Sequence, residues 1–169
     1  MIILNKIESI IKSIKNRTKI IWYKLKYGKR LKIGKNVVFR KGFTLYIEKD
    51  AYVEIGDKNF FNNYCTIDCM GKIIIGQHNL FGENVKIYDH NHLFNNKNIN
   101  RGSNYTIDEI NIGKENWIGT NVTILRHTNL GNYNVIAAGT VLNKHIDDDN
   151  IVSNVGNSEY NIQKIRYKG

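Results

Sequence analysis

The sequence predicts an all-β chain wound into a parallel β-helix, and three observations predict it. An aliphatic residue followed by glycine recurs at Ile33-Gly34, Ile55-Gly56, Ile75-Gly76, Ile112-Gly113 and Leu130-Gly131. Between these pairs, large apolar residues return every six positions. From Ile112 the chain reads IGKENW, IGTNVT, ILRHTN, LGNYNV, IAAGTV and LNKHID, and from Ile75 it reads IGQHNL, FGENVK and IYDHNH. Asparagine follows the aliphatic residues by three or four positions, at Asn36, Asn59, Asn79, Asn84, Asn116, Asn121 and Asn134. A helix with 3.6 residues per turn cannot keep such a rhythm over this length. Three hexads instead make a coil of about eighteen residues, with one short strand on each side of a triangle.

Within each hexad the first residue points into a narrow interior, so it is aliphatic or Phe. Corners need unusual backbone angles, which Gly and Asn tolerate best. Stacked coils then hydrogen-bond strand to strand. The spacing predicts about five coils, at 33–54, 55–74, 75–92, 112–129 and 130–147. Residues 93–111, LFNNKNINRGSNYTIDEIN, break the repeat as one long excluded loop, the kind of segment that often carries function. The β-helix domain is thus 33–147, and residues 148–169 are expected to cap the open end, since bare sheet edges invite aggregation.

Ahead of the coils, Ile3, Ile7, Ile10, Ile11 and Ile14 fall at helical spacing among basic residues, followed by IIWYKLKYGKR. Residues 1–32 therefore read as a basic amphipathic helical segment. It suits peripheral contact with an anionic membrane surface, with Trp22 and Tyr23 at the interface, or packing against the chain's own solenoid. The formal charge of +10 over 169 residues is unevenly spread. Residues 1–41 hold thirteen Lys/Arg against Glu8 alone, whereas the remaining 128 residues hold twelve against fourteen acids. A body with a charge of −2 argues against nucleic acid as partner. Cys65 and Cys69 make neither a disulfide framework nor a zinc site, which suits reduced thiols in a cytoplasmic protein. No apolar run approaches the roughly 20 residues needed to span a bilayer, and no clean secretory signal is evident.

The chemistry-bearing cluster is Asp89-His90-Asn91-His92, which closes a coil just before the loop. A histidine there is either a base on a pocket wall or a hydrogen-bonded turn residue. His90 and His92 share a strand face, but two ligands are not a metal site, so no metal is expected.

The ordered string IYDHNH, a loop, IGKENWIGTNVTIL and then IAAGTVLNKHI resembles the hexapeptide-repeat acyltransferases over roughly residues 33–166. It is most similar to the branch of maltose and galactoside acetyltransferases and of capsule or lipopolysaccharide O-acetyltransferases. The resemblance implies a left-handed β-helix, a homotrimer with active sites between subunits, acetyl-CoA as acyl donor and a saccharide or glycan acceptor. It implies His92 as catalytic base, with His90 as the alternative. Asn63, Asp89, His90 and Trp117 would face the acceptor. Trp117, Ala138, Gly139, Asn143 and Lys144 would line the cofactor, the small pair letting the pantetheine arm pass and Lys144 meeting the phosphates.

Two departures stand out. Leu125-Arg126-His127 replaces an Asn-Pro-Gly-like corner, and Gly156-Asn157-Ser158-Glu159 replaces a Gly-Asn-Pro-Ala ending. The basic helix also stands where the sugar enzymes carry a different N-terminal cap. This favours a capsule, lipopolysaccharide or exopolysaccharide unit assembled at the inner face of the cytoplasmic membrane. The alternatives are N-acylation of a nucleotide-linked amino sugar and a non-catalytic β-helix assembly module.

Overall fold

The computed structural model describes residues 2–93, 105–155 and 159–164. A 26-residue helix, α1 (Ile2–Tyr27), leads into a single 3-10 turn and then the solenoid. The chain contains no proline to interrupt α1. The helix stops at Gly28, whose φ of +54° is the left-handed conformation that glycine adopts freely.

The first turn comprises β1 (Leu31–Ile33), β2 (Val38–Phe39) and β3 (Thr44–Ile47). The second comprises β4 (Tyr52–Ile55), β5 (Phe60–Phe61) and β6 (Thr66–Cys69). The third comprises β7 (Lys72–Ile75), β8 (Leu80–Phe81) and β9 (Lys86–Tyr88). The chain then leaves the solenoid through β10 (His90–His92) and returns through β11 (Tyr105–Ile107). The fourth turn follows with β12 (Ile110–Ile112), β13 (Trp117–Ile118) and β14 (Thr123–Leu125). The fifth has β15 (Asn129–Leu130), β16 (Val135–Ile136) and β17 (Val141–Leu142). A shorter sixth has β18 (His145–Ile146) and β19 (Asn150–Val155), and β20 (Glu159–Lys164) folds back on β19. The solenoid therefore has about six turns rather than five. The sixth escapes a strict hexad count because the buried residues Leu142 and Ile146 are separated by a shortened corner before Val152 resumes the interior row.

These strands stack into three parallel faces. Face one is β1-β4-β7-β12-β15-β18, face two is β2-β5-β8-β13-β16-β19 with β20 antiparallel on its end, and face three is β3-β6-β9-β14-β17. Alternation along each strand sends Leu45, Ile67, Ile87, Ile124 and Leu142 inward, all at most 1% exposed. Phe39, Phe43, Phe61 and Phe81 fill the wider early turns, with Phe61 and Phe81 stacked at 4.3 Å.

The glycine and asparagine rows have distinct causes. A Cβ on Gly56 would lie 2.7 Å from the Gly76 backbone, and one on Gly76 or Gly113 would lie 2.5 Å from the next carbonyl. These glycines permit close stacking at one edge; none of them needs a positive φ. Of the seven repeat asparagines, Asn36, Asn84 and Asn121 alone take positive φ as corner residues. Asn59, Asn79, Asn116 and Asn134 are buried and form a ladder. Each of the last three donates its backbone N–H to the side-chain oxygen of the asparagine one turn earlier, at 2.8–2.9 Å. Asn150 adds another rung at 2.8 Å.

One end of the solenoid is closed by α1. Asn16 donates to Val37 O and accepts from Phe39 N, at 2.9 and 2.8 Å. Lys19 donates to Arg40 O (2.7 Å), Tyr23 to Phe43 O (3.2 Å), Tyr27 to Leu45 O (2.6 Å), and Arg30 to Ile47 O and Glu48 O (2.9 and 2.7 Å). Polar groups spaced every three or four positions thus satisfy the carbonyls along the first turn's edge. Tyr23, expected at a membrane interface, is instead buried in this contact, while Trp22 is exposed.

The opposite face of α1 exposes Leu4, Ile7, Ile11, Ile14, Trp22 and Leu25. A second apolar row lies on the outside of face two, where Val38, Phe60, Leu80, Trp117, Val135 and Ile151 pair in register from turn to turn.

Candidate active site

The candidate site begins where face three hands the chain to its excursion. Asp89 is fully buried, and its carboxylate accepts the Met70 and Gly71 N–H groups at 2.8 Å each and the Cys69 thiol at 3.2 Å. Those bonds let an acid sit inside without a full counter-charge. Asp89 Oδ1 lies 3.1 Å from His90 Nδ1, orienting a ring whose side chain is 13% exposed. Burial raises the Asp68 carboxyl, and the charge of His90 works against that rise. Burial also holds both cysteines as thiols, with Cys65 pushed up to about 11 and Cys69 further, Asp89 adding to its rise.

His92 lies two residues on along β10 and is exposed. Tyr105 on the antiparallel β11 packs against both histidines, its ring 5.6 Å from His90 and 4.7 Å from His92. Residues 94–104 of the expected loop lie outside the described residues, whereas its end, β11, returns as the second strand of this arm.

The corner that departs from the family pattern meets the arm here. Arg126 donates to Asp108 Oδ2 at 2.6 Å, and His127 Nε2 lies 3.2 Å from the same oxygen. Sequence reasoning missed Tyr105, Asp108 and this clamp. A basic corner facing an acid beyond an excursion carried the signal, but the repeat alone does not bring positions 108 and 126 together.

The other expected residues are spread around the solenoid. Asn63 is on the corner between faces two and three in the second turn, donating to Glu83 at 2.8 Å. Trp117 projects from face two. Ala138 and Gly139 are exposed on the corner after β16, and a Cβ on Gly139 would meet nothing within 4 Å. Gly139 is required there by its φ of +74°, not by crowding. Asn143 and Lys144 are exposed on the corner after β17, the same edge as the histidines but further along. One chain therefore brings Asp89, His90 and His92 together and leaves Asn63, Trp117, Ala138 and Gly139 on another side. Among the described residues, no group of three or more His, Cys, Asp or Glu is placed to hold a metal ion.

No protein-family model and no curated protein sequence matches this chain. Solved structures do. A hexapeptide-repeat-containing acetyltransferase of Vibrio cholerae, complexed with acetyl coenzyme A, superposes with a TM-score of 0.69 at 24% identity, covering 79% of this chain and 70% of that one. Galactoside acetyltransferase in complex with coenzyme A gives 0.66 at 21% identity, covering 80% and 65%. The N-acyltransferase AntD of Bacillus cereus, in complex with dTDP and 3-hydroxybutyryl-CoA, gives 0.63 at 18% identity, covering 82% and 73%. At these identities the likeness is one of fold, and the chain shares the hexapeptide-repeat β-solenoid on which those acyltransferases are built.

Proposed function

We propose that this chain is an acetyl-CoA-dependent O-acetyltransferase modifying a saccharide hydroxyl of a capsule, lipopolysaccharide or exopolysaccharide unit. The observation that carries the reading is the Asp89-His90-Asn91-His92 strand, set where the solenoid is interrupted and walled by Tyr105. His92 acts as general base. It takes the proton of the acceptor hydroxyl as that oxygen attacks the thioester carbonyl, and returns it to the sulfur as the tetrahedral adduct collapses to acetyl ester and free thiol. Positioning supplies much of the gain, and proton transfer contributes about 10²–10⁴-fold. Asp89 and His90 hold the wall of the site.

The working unit in this reading is a homotrimer. The apolar row on face two supplies a contact surface, and a neighbour's approach would bring the Asn63 and Trp117 side of one copy toward the His92 edge of the next. The exposed isoleucine stripe of α1, flanked by lysines, supports peripheral contact of residues 1–32 with the inner face of the cytoplasmic membrane. No helix among the described residues is long and apolar enough to cross a membrane.

Two observations favour second readings. The Asp89–His90 hydrogen bond gives His90 the oriented geometry of a base. The fold likeness to AntD, solved with dTDP, favours N-acylation of a nucleotide-linked amino sugar. Purified protein incubated with acetyl-CoA and hydroxyl- and amino-bearing glycans decides among them. His92→Ala is expected to abolish transfer to hydroxyls with the fold intact, and His90→Ala to lower it less. Transfer unchanged in His92→Ala but lost in His90→Ala moves the base to His90. Transfer confined to amino sugars selects the N-acyl reading. A wild-type protein that transfers nothing is an assembly module.

A further inference from the structure

A cleft of about 600 Å³ separates α1 from the first two turns of the solenoid. Its rim carries Lys12, Lys15 and Lys19 from α1, Arg40 and Lys41 from the corner after β2, and Asn63 from the corner after β5. Val38 and Phe39 give it an apolar floor, and among the described residues no carboxylate lines it, Glu83 standing behind Asn63 as its hydrogen-bond acceptor at 2.8 Å. Lys12 does pair with Glu8 at 3.2 Å, but both side chains are more than 60% exposed, so water screens the pair. Lys19 is pinned by Arg40 O at 2.7 Å, and burial lowers its pKa. Five basic side chains share this lining, and the neighbours of Arg40 (Asn62 Oδ1 at 3.2 Å) and of Lys41 (the Tyr64 ring) are neutral, so their charges repel one another unless something anionic sits among them.

The size and shape say what that is. A cleft of this volume suits a small molecule. It opens on the side of α1 that faces the solenoid, while the exposed apolar stripe lies on the opposite face. A bilayer meeting that stripe would not enter the cleft. Clustered lysines and an arginine answer the charge of a diphosphate better than that of a single carboxylate. Asn63, which the proposed reaction assigns to the acceptor, sits on the same rim.

We propose that this cleft binds the diphosphate of the acceptor, so that the saccharide arrives carried on a diphosphate ester. The inference rests on the saccharide-acetylation reading for its meaning, but not for its test. The carrier beyond the diphosphate is either a nucleoside or a lipid alcohol, and both present the same group to these cations.

Calorimetric titration of the full chain with inorganic pyrophosphate tests it. Saturable binding is expected, with a Lys15→Gln/Lys41→Gln double variant, checked for fold by circular dichroism, binding about tenfold or more weakly. Tighter binding of a short-chain prenyl diphosphate than of dTDP identifies a lipid carrier, and the reverse identifies a nucleotide. No saturable pyrophosphate binding by the wild-type chain, or equal binding by the double variant, overturns the proposal. So does loss of binding to anionic vesicles in the double variant with pyrophosphate binding intact, which would make these lysines a membrane contact. A chain that binds pyrophosphate through these residues but transfers no acetyl group would sink the acetyltransferase reading and leave the cleft standing.

Discussion

At the scale of single residues, the two commonest small polar and non-polar residues of the repeat do different work from the one their chemistry first suggests. Glycine at the aliphatic-glycine pairs was expected to relax the backbone at corners; it is there because the next coil's backbone leaves no room for a Cβ. The left-handed corners are instead occupied by residues as varied as Lys58, Tyr64, Glu115 and Tyr133. Asparagine divides into corner residues and a buried ladder, a split that spacing alone does not reveal because both sets recur at nearly the same offset. Gly76→Ala should therefore destabilise by about 1–3 kcal/mol through overpacking against Gly113. Chemical denaturation would show this as a lowered midpoint with an unchanged slope. A neutral result would mean that the coils separate freely at this edge.

At the scale of elements, α1 is a capping device whose donors are timed to the carbonyls of the first turn. Tyr23 is one titratable member of that row, and burial pushes its phenol up to about 12, against an ordinary value near 10. A raised pKa means that the docked helix favours the neutral phenol. Its stabilising effect is complete below pH 10 and is lost as pH rises from 10 to 12. Hydrogen exchange across α1, or the fluorescence of neighbouring Trp22, should report undocking in that window. Tyr23→Phe should shift or abolish the transition and cost about 1 kcal/mol at neutral pH by leaving Phe43 O without its donor. An unaltered alkaline transition in that variant would assign it to other groups. The helix itself was legible in the sequence from its isoleucine spacing. Packing on the solenoid was one of its two expected fates, but the docking residues were not legible, because they are Asn, Lys, Tyr and Arg, which an apolar periodicity passes over.

At the scale of the whole molecule, the hexad rhythm made the solenoid legible because every face repeats the same inside-outside alternation. What it hid is the outward side of each face, since a six-residue count registers only what points in. Face two carries an unbroken apolar row outside, whereas the matching row on face one, Lys32, Glu54, Ile74, Asn111 and Asn129, is mostly polar or charged. Leu80→Glu, placed mid-row, should convert the proposed trimer to monomer in sedimentation and abolish the proposed transfer while preserving the β signal in circular dichroism. A wild-type chain that sediments as a monomer would remove the trimer from the proposal. The candidate site was legible only as far as Asp89, His90 and His92, which are close in the chain. Asn63, Trp117 and Gly139 lie on other sides of the same prism, and no reading of one chain's period joins them.

The excursion that carries His92 also has a bearing on how such a protein can diversify. Asn79 and Asn116 are neighbouring rungs although 37 positions apart, where Asn116 and Asn134 are 18 apart, and the two contacts are equivalent in geometry. The asparagine ladder therefore closes across the gap at its ordinary spacing. Insertions, deletions and exchange confined to the excursion beyond His92 would leave both rungs in place. Under the proposed function, such changes would reshape the acceptor wall beside His92 while the ladder keeps the coils in register.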